Sequence, residues 1–209
     1  MRKLRLLLLI ALGVKDRFWS GLRKRQLRAQ ALISDGHTVL DPSVRFDHAV
    51  RFQGRGTVVA EKNVVFGYSL AGAYSLPILI QPRVKEAVIH IGEATNIMNG
   101  TEIFARQSVR LGKRCLVGAR TVILDSDFHG LDPQQRGSVG VSKPVEIQDN
   151  VWIGMGVMIL KGVTIGRDAV IGASCVVTRD VPAGAIVVGN PMRIAGSVYE
   201  RQDLDVIES

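Results

Sequence analysis

Over the last third of the chain, apolar residues return every six positions. Ile147, Ile153, Ile159, Ile165, Ile171 and Val177 form one series. Four residues after each stands a second small or branched residue: Val151, Val157, Val163, Ala169, Cys175 and Val181. A period of six is neither the 3.6-residue turn of a helix nor the alternation of a plain strand. It marks a solenoid, in which each short repeat buries its apolar side only by stacking on the next. Three such units close a triangular coil of about eighteen residues. The first series points inward and stacks on its equivalents in neighbouring coils. The second also faces inward, with less room. Gly154, Gly166 and Gly172, directly after three members of the first series, are expected to permit corner dihedrals that a side chain resists.

The same period runs upstream. Ile91, Ile97 and Ile103 are in phase, and Leu111, Val117 and Ile123 follow after an eight-residue step. Cys115 and Thr121 take the inner small position there. Further back stand Leu40, Phe46 and Phe52, then Ala60 and Phe66. Residues 73–86, with Pro77 and Pro82, leave the register. Residues 125–146 are polar and turn-rich, yet Ile123 and Ile147 are 24 apart, so the phase survives the excursion. The pattern predicts an all-β parallel solenoid of about six coils with one long external loop. A loop of that length in a compact solenoid is usually functional. Aromatics make up only 5% of the chain, which argues against a core built on ring plugs. Cys115 and Cys175 read as core packing. They form no CxxC motif and point to a reducing compartment.

The net charge of +8 is local. Residues 1–30 carry nine Lys/Arg against Asp16 alone, so the remainder holds 18 bases and 18 acids. A nucleic-acid-binding body needs its surplus of bases on a folded face, and this body has none. No apolar run reaches the roughly 18 residues of a membrane span. The chain divides into a basic amphipathic arm (1–35), a solenoid (36–196) and a tail (197–209). In the arm, Leu7, Ala11, Val14, Phe18 and Leu22 share one helical face. Three readings stand: a helix lying in a membrane surface, a helix docked on its own body or a sister subunit, or a cleaved signal. The expected location is cytoplasmic, with peripheral contact at the inner membrane face under the first reading.

Four histidines are present. His90, in VIHIG, reads as an outward-facing strand residue; His37 and His48 fall in the irregular first coil and receive no role. His129 stands in the excursion, in Asp125-Ser126-Asp127-Phe128-His129-Gly130, beside two carboxylates able to fix its tautomer. The spacings between histidines, 11, 42 and 39, do not suit a zinc site on a coil edge.

The segment IGRDAVIGASCVVTRDVPAGAIVVGNPMRIAG, preceded by DNVWIGMGVMILKGVT, resembles the hexapeptide-repeat acetyltransferases. The subgroup is that of maltose, galactoside, xenobiotic and bacterial surface-polysaccharide O-acetyltransferases. The likeness covers roughly 40–196 and is strongest over 147–196. It implies a left-handed parallel β-helix, a hand that spacing alone does not give. It also implies a homotrimer with active sites between subunits, and acetyl-CoA as acyl donor with no metal. His129 matches the general base of the family loop. Asp127, or Asp125, is the expected orienting acid, although relatives often use a backbone carbonyl. Trp152 matches an oxyanion donor, and Asn99 a residue near the acceptor. Met155, Ala173, Thr178, Arg179 and Arg193 match CoA-binding positions, Met155 where relatives often have serine. Lys161 is a further candidate there, against a solvated turn lysine. Arg136 is a candidate for an anionic acceptor. The implied activity is O-acetylation of a sugar or glycan intermediate. N-acetylation of an amino sugar or small molecule, and a non-catalytic binding scaffold, are the alternatives.

Overall fold

The computed structural model describes residues 36–68 and 76–200. The expected helical arm over 1–35 and most of the tail lie outside them. The rest is a prism of stacked coils with three short strands each. The first coil contains β1 (His37–Leu40), β2 (Arg45–Phe46) and β3 (Val50–Phe52). The second contains β4 (Thr57–Ala60), β5 (Val65–Phe66) and β6 (Ile78–Pro82). The third and fourth contain β7 (Val88–Ile91), β8 (Asn96–Ile97), β9 (Glu102–Ala105), β10 (Ser108–Leu111), β11 (Leu116–Val117) and β12 (Val122–Leu124). The fifth and sixth contain β13 (Val145–Ile147), β14 (Trp152–Ile153), β15 (Met158–Ile159), β16 (Thr164–Ile165), β17 (Val170–Ile171) and β18 (Val176–Val177). Each strand pairs in parallel with its equivalent one coil away. Three flat sheets result: sheet A from β1 to β16, sheet B from β2 to β17, and sheet C from β3 to β18. This is an all-β, left-handed parallel β-helix. No helix among the described residues is long and apolar enough to cross a membrane.

Both inward series are buried as their spacing requires. Ile147, Ile153, Ile159 and Ile165 are sealed from solvent, as are Val151, Val157, Ala169 and Cys175. Burying one such isoleucine contributes roughly 1.5–3 kcal/mol. Each stacks on its counterpart through the strand register, as Val117 pairs with Ile153 and Ile153 with Ile171.

Four expectations are corrected. Rings do plug the first two coils: Phe46 and Phe66 stack 5.4 Å apart at 9°, and Phe52 meets Phe66 edge-on at 5.9 Å. The expected break at 73–86 is partly strand, because Ile78, Ile80 and Pro82 alternate inward along β6. The external loop is two residues shorter than expected, 125–144, since Val145 and Glu146 already belong to β13.

The fourth correction concerns glycine. Gly154, Gly166 and Gly172 do not adopt left-handed dihedrals. A Cβ on Gly154 would lie 2.6 Å from Ala173 N, and one on Gly166 2.4 Å from Ala183 N. These glycines let adjacent coils approach. The left-handed residue of each corner lies two positions later, at Gly156 or Asp168. Beyond the sixth coil, β19 (Ala185–Val188) adds to sheet B and pairs antiparallel with β20 (Arg193–Ser197).

Candidate active site

The external loop leaves β12 on sheet C and returns into β13 on sheet A, so it stands on the C–A edge of the prism. Its first five residues are fastened one by one. Asp125 is buried, and its carboxylate accepts from Arg106 N at 2.8 Å and Gln107 N at 2.6 Å, on the same edge one coil back. Burial pushes the Asp125 carboxyl above the usual range, and these backbone donors offset part of that rise. Ser126 bridges antiparallel to Ser142, closing the loop at its base. Asp127 Oδ1 accepts from Lys161 Nζ in a half-buried ion pair. Asp127 Oδ2 is buried with no hydrogen-bond partner among the described residues. Phe128 packs edge-on against Phe104, with ring centroids 6.2 Å apart. Further along, Asp132 caps a short 3-10 turn (Pro133–Gln135) by accepting from Gln134 N.

His129 is exposed, and its Nδ1 lies 3.0 Å from the carbonyl oxygen of Arg136. A carbonyl only accepts, so Nδ1 carries a proton, and in the neutral ring Nε2 keeps the lone pair. The expected carboxylate orienter is therefore corrected. Asp127 is committed to Lys161, Asp125 to backbone N–H groups, and the imidazole is held by main chain. The contact to Arg136 is made by its backbone carbonyl and not by its guanidinium. Lys161 is not a free turn lysine.

The other expected residues lie elsewhere on the prism. Trp152 stands on sheet B, opposite the C–A edge, and is 57% exposed. Beside it opens a shallow pocket of about 390 Å³, walled by Leu116, Asn150, Asp168, Val170 and Tyr199. Asp168 accepts from Asn150 Nδ2 at 2.7 Å and Tyr199 Oη at 2.8 Å. Those two bonds, Asn150 first, hold its carboxyl below the usual range, and the same contact raises the Tyr199 phenol.

Asn99 is buried on the B–C edge. Its Oδ1 accepts from Tyr68 N at 2.9 Å and its Nδ2 donates to Tyr68 O at 3.2 Å. Met155 and Ala173 share that edge on successive coils, joined by Ser174 N donating to Met155 O at 2.8 Å. Thr178, Arg179 and Arg193 gather at the end of the prism around Met192. Thr178 N lies 3.4 Å from Met192 Sδ, and Arg179 Nη2 donates to Met192 O at 3.3 Å. No carboxylate among the described residues pairs with Arg179 or Arg193. Two guanidinium groups with no carboxylate partner among the described residues, and a close-packed backbone edge at Gly154–Ala173, suit a phosphorylated, amide-bearing ligand such as CoA. One chain thus brings the CoA-matched residues into two groups, and does not bring His129 to Trp152 or Asn99.

Spacing did not single out Arg83, Phe104 or Phe128. The guanidinium of Arg83 lies 4.3 Å from the Phe128 ring centroid and 5.2 Å from that of Phe104. Arg83 falls in the proline-flanked stretch where the repeat lapses, and no sequence signal marks it.

The bacterial transferase hexapeptide family (six repeats) matches residues 144–179. A galactoside O-acetyltransferase of Lactococcus lactis subsp. lactis is 35% identical over 106 residues, which are 50% of this chain and 47% of that protein. The chain spans about half to two thirds of the first curated relatives it matches, 47–64% of their lengths. Among solved structures, the polySia-specific acetyltransferase NeuO superposes with a TM-score of 0.64 at 27% identity, over 78% of this chain and 72% of that one. A hexapeptide-repeat acetyltransferase of Vibrio cholerae O1 biovar eltor, complexed with acetyl coenzyme A, superposes with a TM-score of 0.50 at 27% identity, over 80% and 73%. With its six-residue period and its three parallel sheets, the chain is similar to the hexapeptide-repeat acetyltransferases.

Proposed function

We propose that this protein transfers an acetyl group from acetyl-CoA to a hydroxyl of a sugar or surface-polysaccharide intermediate. The observation that carries this reading is the His129–Arg136 hydrogen bond, which leaves Nε2 of an exposed imidazole as a proton acceptor. The likenesses to a galactoside O-acetyltransferase, to a polySia-specific acetyltransferase and to an enzyme complexed with acetyl coenzyme A support the substrate classes.

Acetyl-CoA supplies an acyl carbon already activated as a thioester. His129 Nε2 takes the proton of the acceptor hydroxyl as its oxygen attacks, and returns a proton to the departing thiolate. The Arg136 carbonyl keeps the ring in the required tautomer and steadies the imidazolium that forms. The indole N–H of Trp152 donates to the carbonyl oxygen as negative charge develops there. Arg179 and Arg193 neutralise phosphate groups, and the backbone at Met155 and Ala173 meets the pantetheine amides. Asn99 holds the chain at Tyr68 beside the acceptor.

His129 and Trp152 lie on opposite sides of one prism, so the site is completed by a neighbouring copy in a homotrimer. Each seam takes the imidazole from one subunit and the indole from the next. The basic arm, outside the described residues, brings the trimer to lipid-linked acceptor at a membrane surface.

The test is CoA release, followed with a thiol reagent, from acetyl-CoA and a panel of neutral sugars, acidic sugars and amino sugars. Transfer to hydroxyl acceptors supports the reading. Transfer confined to amines overturns the O-acetyl assignment, and CoA binding without transfer to any acceptor favours a scaffold.

A further inference from the structure

Left-handed backbone at non-glycine residues follows a rule in this molecule. Asn63, Ala94, Arg114, Asn150 and Asp168 take the third place of successive turns between sheets A and B. Arg120 and Ser174 take the same place between sheets B and C. Phe128, with φ 60°, is the one such residue among those described that belongs to no coil. It directly precedes His129.

A bulky aromatic holds that conformation only where its surroundings over-determine it. Phe128 N donates to Ser126 Oγ at 3.2 Å, which fixes the backbone from below. The ring is held by Arg83, whose Cζ sits 4.3 Å from its centroid, within cation–π reach. Arg83 is itself anchored: its N donates to Ala105 O at 2.8 Å and its Nε to Gln81 Oε1 at 2.9 Å. Gln81 and Phe104 are register partners on adjacent coils, so clamp and ring rest on the rigid prism. No carboxylate among the described residues pairs with Arg83; besides Gln81, its guanidinium meets the two rings.

We infer that Arg83 is a positioning residue for His129. Its guanidinium, stacked on Phe128, fixes the left-handed residue that delivers the next side chain to the Arg136 carbonyl. Without the stack, Phe128 relaxes toward ordinary dihedrals, and the imidazole leaves its acceptor. The consequence for catalysis rests on His129 being the base, as proposed above; the consequence for ring geometry does not.

The experiment has two arms, both on the full-length protein. Long-range proton–nitrogen NMR of histidine-labelled protein reads the His129 tautomer, assigned by its absence in His129→Gln. The wild type is expected to show the Nδ1–H form alone. Arg83→Gln and Phe128→Leu are expected to show a mixture, and Arg83→Lys to keep the wild-type signature. In the kinetic arm, Arg83→Gln is expected to lower kcat about three- to tenfold, the scale of a lost cation–π contact, with the KM for acetyl-CoA unchanged. In a His129→Ala background the same substitution is expected to cost nothing more. A single Nδ1–H tautomer in both Arg83→Gln and Phe128→Leu overturns the inference, as does an equal loss of kcat in both backgrounds. If the tautomer shifts as expected while His129→Ala retains full turnover, the positioning stands and the general-base reading falls.

Discussion

The imidazole of His129 is held by the main chain of Arg136, seven residues further along the same loop, with Nδ1 3.0 Å from the carbonyl oxygen. Orientation by a carbonyl makes the Arg136 side chain dispensable for proton transfer. Arg136→Ala is therefore expected to keep kcat within about threefold of wild type, against the 10²–10⁴ carried by a general base. A hundredfold loss in Arg136→Ala, measured as CoA release, would show that the guanidinium itself acts at the site.

Asp127 and Lys161 tie the loop to the fifth coil, with side chains 18% and 25% exposed. Lys161→Ala leaves the Asp127 carboxylate without its cation, next to an oxygen that already lacks a partner. A loss of about 1–3 kcal/mol in urea unfolding is expected. Lys161→Met with Asp127→Leu is expected to cost less than either single change, because no charge is stranded. A double variant weaker than both singles would show that the pair stabilises outright.

Asp125 carries the backbone of Arg106 and Gln107. Its removal by Asp125→Ala strands those N–H groups and is expected to cost about 2–3 kcal/mol. Burial raises its folded pKa above the unfolded value of about 3.9. The folded chain thus binds the proton more tightly, and this term favours folding at acid pH and is lost as pH rises through the raised folded value. Asp125→Asn cannot ionise. Its deficit against wild type is expected to be largest below about pH 4 and to shrink as pH rises. Urea midpoints across that range check the sign, and a deficit that grows with pH contradicts it.

At the far end of the prism, Tyr199 donates to Asp168 and its phenol is raised. Spectrophotometric titration is expected to show one tyrosine ionising later than the ordinary value of about 10. That late step should vanish in Tyr199→Phe and move earlier in Asp168→Asn. The neutral phenol is the form that pairs, so its stabilising contribution is present below that value and is lost as pH rises through the folded pKa.

Gly154→Ala places a methyl 2.6 Å from Ala173 N, where backbone must move. A loss of at least about 1–3 kcal/mol is expected. It should exceed that of an alanine at Gly137, which meets nothing within 4 Å.

The solenoid was legible because a six-residue apolar period has no other geometric reading, and Ile147 to Val177 follow it without interruption. His129 was legible as a candidate because a histidine between a glycine and two aspartates stood in the long excursion. Its orientation was not. Choosing among Asp125, Asp127 and a carbonyl depends on how the loop folds back at Gln135 and Arg136, and no periodicity constrains that. The three phenylalanines of the first coils escaped the composition argument because an average over the whole chain conceals a local plug. Contact between coils decides Gly154 and Gly166, and spacing along the chain carries no sign of that contact. Arg83 was invisible because its partner Phe128 lies 45 residues on, in the external loop.

If Nε2 of His129 removes the acceptor proton, the turnover of His129→Ala at saturating acetyl-CoA must show it. A fall in kcat of roughly 10²–10⁴ is expected, with CoA affinity by calorimetry little changed. Acetyl transfer at the wild-type rate in that variant would contradict it.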